Sequence, residues 1–193
     1  MDLWNAWECP YCMRVRAALA ETGVPYRSRD LGPADPELPA SGPRGTLPRL
    51  VDGTAVIEGA LPVLEYICNR WPEPPLIPSR IGRLAVVAAY ERVDALFAPH
   101  LPRIDRGRPE ERVQALSEVR RSMGELDGLV AAPGSLLAEF SIADLALASF
   151  LAKLPRDWRP TQLGFERLGR WEKSVMFRPS VREHMGPRLA LAG

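Results

Sequence analysis

Between Trp71 and Ser79 the chain reads Trp-Pro-Glu-Pro-Pro-Leu-Ile-Pro-Ser. Each proline fixes its φ angle and lacks a backbone donor, so neither a helix nor a sheet strand runs through four of them in so short a space. The segment reads as a semi-rigid linker over 71–79, and the patterning differs on its two sides. Residues 1–74 predict the order β-α-β, loop, β-β-α. From 79 to 193 only helical periodicity is seen, so the second part is predicted to be all-helical.

The first part has clear local signals. Residues 2–7 form a short apolar-biased strand candidate, followed by Cys9-Pro10. Pro10 suits a first helical position, and a helix is predicted over 10–22, with Met13, Ala17, Leu19 and Ala20 available for burial. Gly23 stands where a helix-ending glycine belongs, and Pro25 prevents continuation. A second strand is predicted over 25–31. Residues 32–46 are crowded with Gly and Pro and read as a loop. Two apolar runs, Leu47–Val51 and Thr54–Ile57, flank Asp52-Gly53, a strong hairpin signal. A helix follows over 60–69, with Leu61, Leu64, Ile67 and Cys68 at helical spacing.

Beyond the linker, helices are predicted over 80–98, 109–130 and 142–154, with a shorter pair over 164–176 and 180–186. Ser141 and Asp144 have the spacing of a capping box, in which each side chain satisfies a backbone N–H of the other. Phe140 and Leu145 flank it as a staple pair. The small apolar residues that follow suit the middle of a bundle.

Composition excludes several function classes. The apolar share is 46%, with five Trp and five Phe, too much for a disordered chain. With 25 basic and 24 acidic residues the formal charge is +1, against the basic excess of a nucleic-acid binder. The longest apolar runs, Leu84–Ala89 and Leu145–Ala152, are too short to span a bilayer, and no secretory leader pattern opens the chain. Three cysteines are too few for a secreted disulfide framework. The expected compartment is a reducing cytoplasm, where a close cysteine pair is redox-active or metal-binding.

That pair is Cys9-Pro10-Tyr11-Cys12. At a strand-to-helix turn Cys9 meets the free N–H groups and positive end of the helix, which stabilise a thiolate. Cys12, one turn on, can attack a mixed disulfide formed on Cys9. Zinc would need two more ligands, yet there is no second cysteine pair, and His100 and His184 are isolated. A c-type haem would need a histidine where Met13 stands. An inert buried pair is the bland alternative, against which Pro10 at the helix start argues. Cys68, on an apolar helix face, reads as a small core residue.

Taken in order, Cys9-Pro10-Tyr11-Cys12, Gly45-Thr46-Leu47-Pro48-Arg49-Leu50 before the hairpin, Ile57-Glu58-Gly59-Ala60 at a helix start and the late Ser141–Asp144 cap resemble the glutathione transferase superfamily over nearly the whole chain. The cysteine motif also resembles glutaredoxins. The resemblance implies a thioredoxin-like α/β domain followed by a helical bundle, glutathione as co-substrate, no metal and a homodimer. It implies that Cys9 is the nucleophile and Cys12 the resolving thiol, with Tyr11, Leu47, Pro48, Glu58 and Gly59 at the glutathione site. Pro48 is then the cis-proline facing the cysteine, and the backbone of Leu47 pairs with the cysteinyl part of the ligand. Glu58 accepts from the ligand ammonium, and the Gly59 N–H donates to its carboxylate.

Arg29 and Arg44 are the nearest candidates for the glycine carboxylate, where the family pattern departs into the Pro/Gly loop. The second substrate, a small molecule or a disulfide, is expected between the domains near Arg83, Tyr90, Arg92, Phe97 and His100. The implied activity is a glutathione-dependent thiol transferase or disulfide reductase. The alternatives are conjugation of glutathione to electrophiles, in which Tyr11 or the helix end stabilises the bound thiolate, and a non-catalytic binding or scaffold protein of the same fold.

Overall fold

The structure, a computed structural model, describes residues 1–31 and 47–185. The loop read over 32–46, including Arg44, Gly45 and Thr46, lies outside the described residues.

Four strands form one mixed sheet: β1 (Asp2–Asn5), β2 (Arg27–Asp30), β3 (Arg49–Asp52) and β4 (Ala55–Glu58), in the order β2-β1-β3-β4. β1 and β2 are parallel, which requires a crossover, and α1 (Pro10–Glu21) supplies it. β3 runs antiparallel to both β1 and β4. β1 is shorter than the predicted 2–7, because residues 6–8 turn away to enter α1. The β3–β4 turn is displaced by one residue from the prediction: Asp52 pairs with Ala55, so Gly53 and Thr54 are the turn. Gly53 takes φ 60° there, which a first turn position of this kind requires and which only glycine adopts without strain.

α2 (Ala60–Arg70) completes the α/β part. The proline run then carries no helix or strand, and it is fastened rather than loose. Leu76 is buried, and its carbonyl accepts the Ile142 N–H at 3.0 Å. The remaining helices are α3 (Arg83–Phe97), α4 (Leu101–Arg106), α5 (Pro109–Leu129), α6 (Ile142–Leu151), α7 (Pro160–Leu163), α8 (Glu166–Met176) and α9 (Pro179–Met185). α4 and α7 were not expected. Both are too short to show periodicity, and both start on a proline-containing first turn. α3 begins at Arg83 rather than 80 because Gly82, at φ 85°, caps it. α6 ends at Leu151 rather than 154, ahead of Pro155.

α6 is the centre of the molecule: all ten of its residues are buried, and α1, α3, α8 and α9 pack on it. Its capping box forms as predicted. The Ser141 N–H donates to Asp144 Oδ2 at 2.8 Å, and Ser141 Oγ accepts from the Ala143 N–H at 3.3 Å. Asp144 does more than cap. Its Oδ1 also accepts from the Leu136 N–H and from the Trp171 indole, each at 2.7 Å. Phe140, the predicted staple residue, lies under the Arg178 guanidinium, 3.9 Å from the ring centroid.

α1 therefore lies against the helical half through α6 and α9 as well as against α2. Three of its charged residues reach across. Arg14 meets α3 and α6, Arg16 meets the end of α9, and Glu21 takes Arg178 and Ser180. The helix that carries the cysteine pair is thus held from both sides.

Candidate active site

Cys9 is the N-cap residue of α1, in extended conformation (φ −77°, ψ 120°), and Pro10 opens the helix. The chain enters this turn through Ala6, whose carbonyl accepts the Cys9 N–H at 3.2 Å. Cys9 is partly exposed and Cys12 is buried. A thiolate at Cys9 accepts a hydrogen bond from the Cys12 thiol and from the backbone N–H groups of Cys12 and Tyr11. Burial opposes this, Arg14 adds a favourable charge, and the balance lowers the Cys9 pKa to about 6. The same hydrogen bond, with burial and the Cys9 charge, pushes the Cys12 thiol far up. Cys12 Sγ in turn accepts from the Ala6 N–H at 3.4 Å. A thiol of lowered pKa therefore stands beside one that holds its proton.

Tyr11 points into the helical half. Its ring stands edge-on to Phe150, with centroids 6.0 Å apart, and covers the Arg14 guanidinium at 4.9 Å. Burial, with the charge of Asp94, pushes its phenol pKa up. Arg14 is fully buried. It donates to Tyr90 Oη at 2.6 Å, Asp94 Oδ1 at 2.7 Å and Ser149 Oγ at 3.2 Å. The faces of Tyr11, Tyr90 and Phe150 enclose it. Sequence reasoning passed over Arg14 and Arg16. The signal was there: two arginines inside the apolar run Met13–Leu19 cannot both reach water.

The Leu47–Pro48 peptide bond is cis. Leu47 stands just before the β1–β3 ladder, which starts at the Trp4–Arg49 pair. The Gly59 N–H, expected to donate to a ligand carboxylate, donates here to the Pro48 carbonyl at 2.9 Å. The reason is register: Arg49 pairs with Glu58, so the next step of the antiparallel ladder sets Gly59 against Pro48. Gly59 sits at φ 86°, with only ordinary contact to Pro62 at its missing Cβ, so conformation and not space demands glycine. A helix leaves its first N–H groups unsatisfied internally. With Pro62 lacking one, the donors at the start of α2 are those of Ala60 and Leu61.

Glu58 is ion-paired across the strands to Arg49, which is buried. Arg49 belonged to the quoted motif without a role. Arg29 is engaged away from the cysteine turn, on edge strand β2, bonded to Asp2 at 3.0 Å and lying over Trp4. The residues expected to line a second-substrate site are largely committed elsewhere. Tyr90 and Phe97 are buried, the former on Arg14 and the latter stacked on Phe150. Arg83 pairs with Glu65 and Arg92 with Glu125, while His100 Nδ1 lies 3.0 Å from Arg103. Cys68 is buried, which pushes its pKa to about 12 and leaves it an inert core thiol. Among the described residues no cluster of three His, Cys, Asp or Glu side chains could hold a metal ion, and no helix is long and apolar enough to cross a membrane.

Comparison with known proteins gives concordant results. Residues 3–75 match the family described as glutathione S-transferase, N-terminal domain. A stringent starvation protein A homolog of Pasteurella multocida is 31% identical over 169 residues, covering 86% of this chain and 77% of that protein. Glutathione transferase Omega 3C of Trametes versicolor superposes with a TM-score of 0.79 at 24% identity, over 97% of this chain and 89% of its own. A glutathione S-transferase of Methylobacterium radiotolerans, solved in complex with glutathione sulfonate, superposes with a TM-score of 0.73 at 20% identity, over 100% and 97% of the two chains. The last two likenesses concern the fold.

Proposed function

The chain belongs to the glutathione S-transferase family, and from that premise we propose that it is a glutathione-dependent thiol transferase or disulfide reductase whose nucleophile is Cys9. The observation that carries this reading is the Cys9–Cys12 arrangement: a partly exposed helix-capping thiol held toward the thiolate by a buried neighbour that keeps its own proton. Conjugating enzymes need to leave the thiolate of glutathione free, whereas a cysteine thiolate forms a mixed disulfide with it.

The Cys9 thiolate attacks one sulfur of a substrate disulfide, the S–S bond breaks, and the departing thiolate takes a proton from water. Once Cys9 is in the mixed disulfide, its negative charge and its hydrogen bond to Cys12 are gone. Two of the three influences that raise Cys12 vanish with them, leaving burial. Cys12 then loses its proton and attacks the Cys9 sulfur, releasing the second thiol and closing a Cys9–Cys12 disulfide. Two molecules of glutathione, oxidised together to glutathione disulfide, return both cysteines to the reduced state.

In this reading glutathione lies along Leu47 and Pro48, with its γ-glutamyl end near Glu58 and the first turn of α2. Glu58 receives the ammonium by sharing or leaving Arg49. The ligand carboxylate meets the Ala60 and Leu61 N–H groups instead of that of Gly59. The protein works as a homodimer in this reading, as the family resemblance implies.

A second reading is favoured by a specific observation. The acidic side chain and the glycine N–H expected to bind the γ-glutamyl group are both engaged within the protein, by Arg49 and Pro48. The Pasteurella multocida relative, moreover, carries the name of a starvation protein rather than of an enzyme. A binding protein that has kept the fold would look like this.

Intact-protein mass after incubation with glutathione disulfide separates the two. A single glutathione adduct on Cys12→Ser, with an internal disulfide in the wild type, is the outcome expected of the thiol transferase. No adduct on either protein, with Cys9 unreactive to alkylation near neutral pH, removes the nucleophile and leaves the binding protein.

A further inference from the structure

We propose that Arg16 is a positioning residue for the thiol chemistry: its guanidinium holds the turn from which both active-site cysteines are hung and ties that turn to the end of α9. The proposal rests on the thiol-transferase reading of Cys9.

Arg16 is 1% exposed. Its Nη1 donates to Asn5 Oδ1 at 2.6 Å and to the Ala6 carbonyl at 3.2 Å; its Nη2 donates to the Trp7 carbonyl at 2.8 Å and to the His184 carbonyl at 3.1 Å. The guanidinium also stacks on Trp7, 4.3 Å from the ring centroid. Three consecutive residues, Asn5 at the end of β1 and Ala6 and Trp7 in the turn that follows, are thus gripped by one side chain. All four acceptors are neutral. A buried charge is costly, and a core position alone would be filled more cheaply by Leu or Met. A planar fork that meets several oxygens at once is what distinguishes arginine from lysine or an apolar residue.

The gripped turn is the part that carries the thiols. The Ala6 carbonyl accepts the Cys9 N–H at 3.2 Å, and the Ala6 N–H donates to Cys12 Sγ at 3.4 Å. Ala6 is therefore bonded to both cysteines and to Arg16. Asn5, on the other side, is locked in the sheet by its bond to Ser28 Oγ at 2.9 Å. At the far end Arg16 satisfies a carbonyl in the last turn of α9, where a helix leaves such groups open and favours a cation. The titratable or charged groups acting on Arg16 are Cys9 and Cys12 from its own helix, Tyr26 and Asp30 from β2 and the residues before it, and His184 from α9. With Arg16 removed, Ala6 is free to shift and the Cys12 thiol loses its fixed aim at Cys9.

The test is the pH–rate profile of Cys9 alkylation by iodoacetamide, read by mass on the Cys9 peptide. The proteins are wild type, Arg16→Gln, Arg16→Lys and Glu21→Gln. Glu21→Gln cuts a different tie between α1 and the helical half, to Arg178 and Ser180, and so controls for general loosening. The expected result for Arg16→Gln is a midpoint raised by about one pH unit, roughly a tenfold smaller thiolate fraction at low pH. Arg16→Lys, which keeps the charge without the fork, moves about half as far, and Glu21→Gln stays with the wild type. Wild-type midpoints in both Arg16 variants overturn the proposal while leaving the thiol reading intact, as does a shift in Glu21→Gln equal to that in Arg16→Gln. Should Arg16→Gln fail to fold, an unshifted Arg16→Lys is sufficient to overturn it. An ordinary thiol midpoint in the wild type itself overturns the thiol reading, and the Arg16 proposal with it.

Discussion

Replacing Cys12 by alanine tests the origin of the Cys9 thiolate directly. The largest influence lowering Cys9 is the hydrogen bond from the Cys12 thiol, and it prevails over burial to bring the pKa to about 6. A hydrogen bond to a charged group contributes about 1.5–3 kcal/mol, and one pKa unit corresponds to about 1.4 kcal/mol. Losing it moves Cys9 up to roughly 7–8, back toward an ordinary thiol. At pH 6.5 the thiolate fraction then drops from roughly three-quarters to about one-fifth or less. A more basic thiolate is also intrinsically more reactive, with a Brønsted slope of about 0.4–0.5. The plateau rate at high pH therefore rises by roughly three- to tenfold while the low-pH rate falls, so the two profiles cross. A rate at a single pH would miss this, and the measurement is alkylation of Cys9 from pH 5 to 10. Cys12→Ser, which keeps an O–H donor at the same place, moves the midpoint less than Cys12→Ala does. An unmoved midpoint and plateau in Cys12→Ala would refute the reasoning and shift the origin of the thiolate to the helix N–H groups and Arg14.

Two further predictions concern the frame around the site. Asp144→Ala strands the N–H groups of Leu136 and Ser141 and the Trp171 indole in the interior, at about 1–3 kcal/mol for each buried donor. Allowing for relaxation, the expected loss is about 4–5 kcal/mol by urea denaturation. Asp144→Asn loses nearly as much, because each carboxylate oxygen takes two donors and one amide end cannot accept; full stability in that variant would contradict the assignment. For Glu21, burial works to raise the pKa, but hydrogen bonds from Arg178 and Ser180 with the Arg178 charge outweigh it and hold the group below 4.5. A lowered folded-state value means that its contribution is complete above pH 4.5 and lost as the pH falls further. Denaturant midpoints between pH 3 and 5 should therefore fall less steeply in Glu21→Gln than in the wild type.

Local chemistry was legible in the sequence, since its causes lie within a few residues. Pro10 after Cys9, the hairpin glycine, the proline run and the Ser141–Asp144 spacing each act through the backbone nearby. They gave the strand and helix order and the cysteine at a helix start. What was not legible lay where one residue of register or a distant neighbour decides. The hairpin turn slipped by one position, which left the strands in place. The Gly59 N–H went to Pro48 because of how β3 pairs with β4, a matter of register and not of spacing along the chain.

The amino-acid sequence by itself determined the thioredoxin-like order, the helical second half and the placing of Cys9 at a helix start. These follow from proline and glycine geometry, from hydrophobic period and from the helix dipole, all of which are local. Only the tertiary structure decided what surrounds that thiol. Arg14 under three aromatic rings, Arg16 between the cysteine turn and α9, Glu58 against Arg49, and Asp144 bonded to Trp171 all join residues far apart in the chain. A charged side chain is tolerable in an interior only where the fold brings acceptors or donors to meet it.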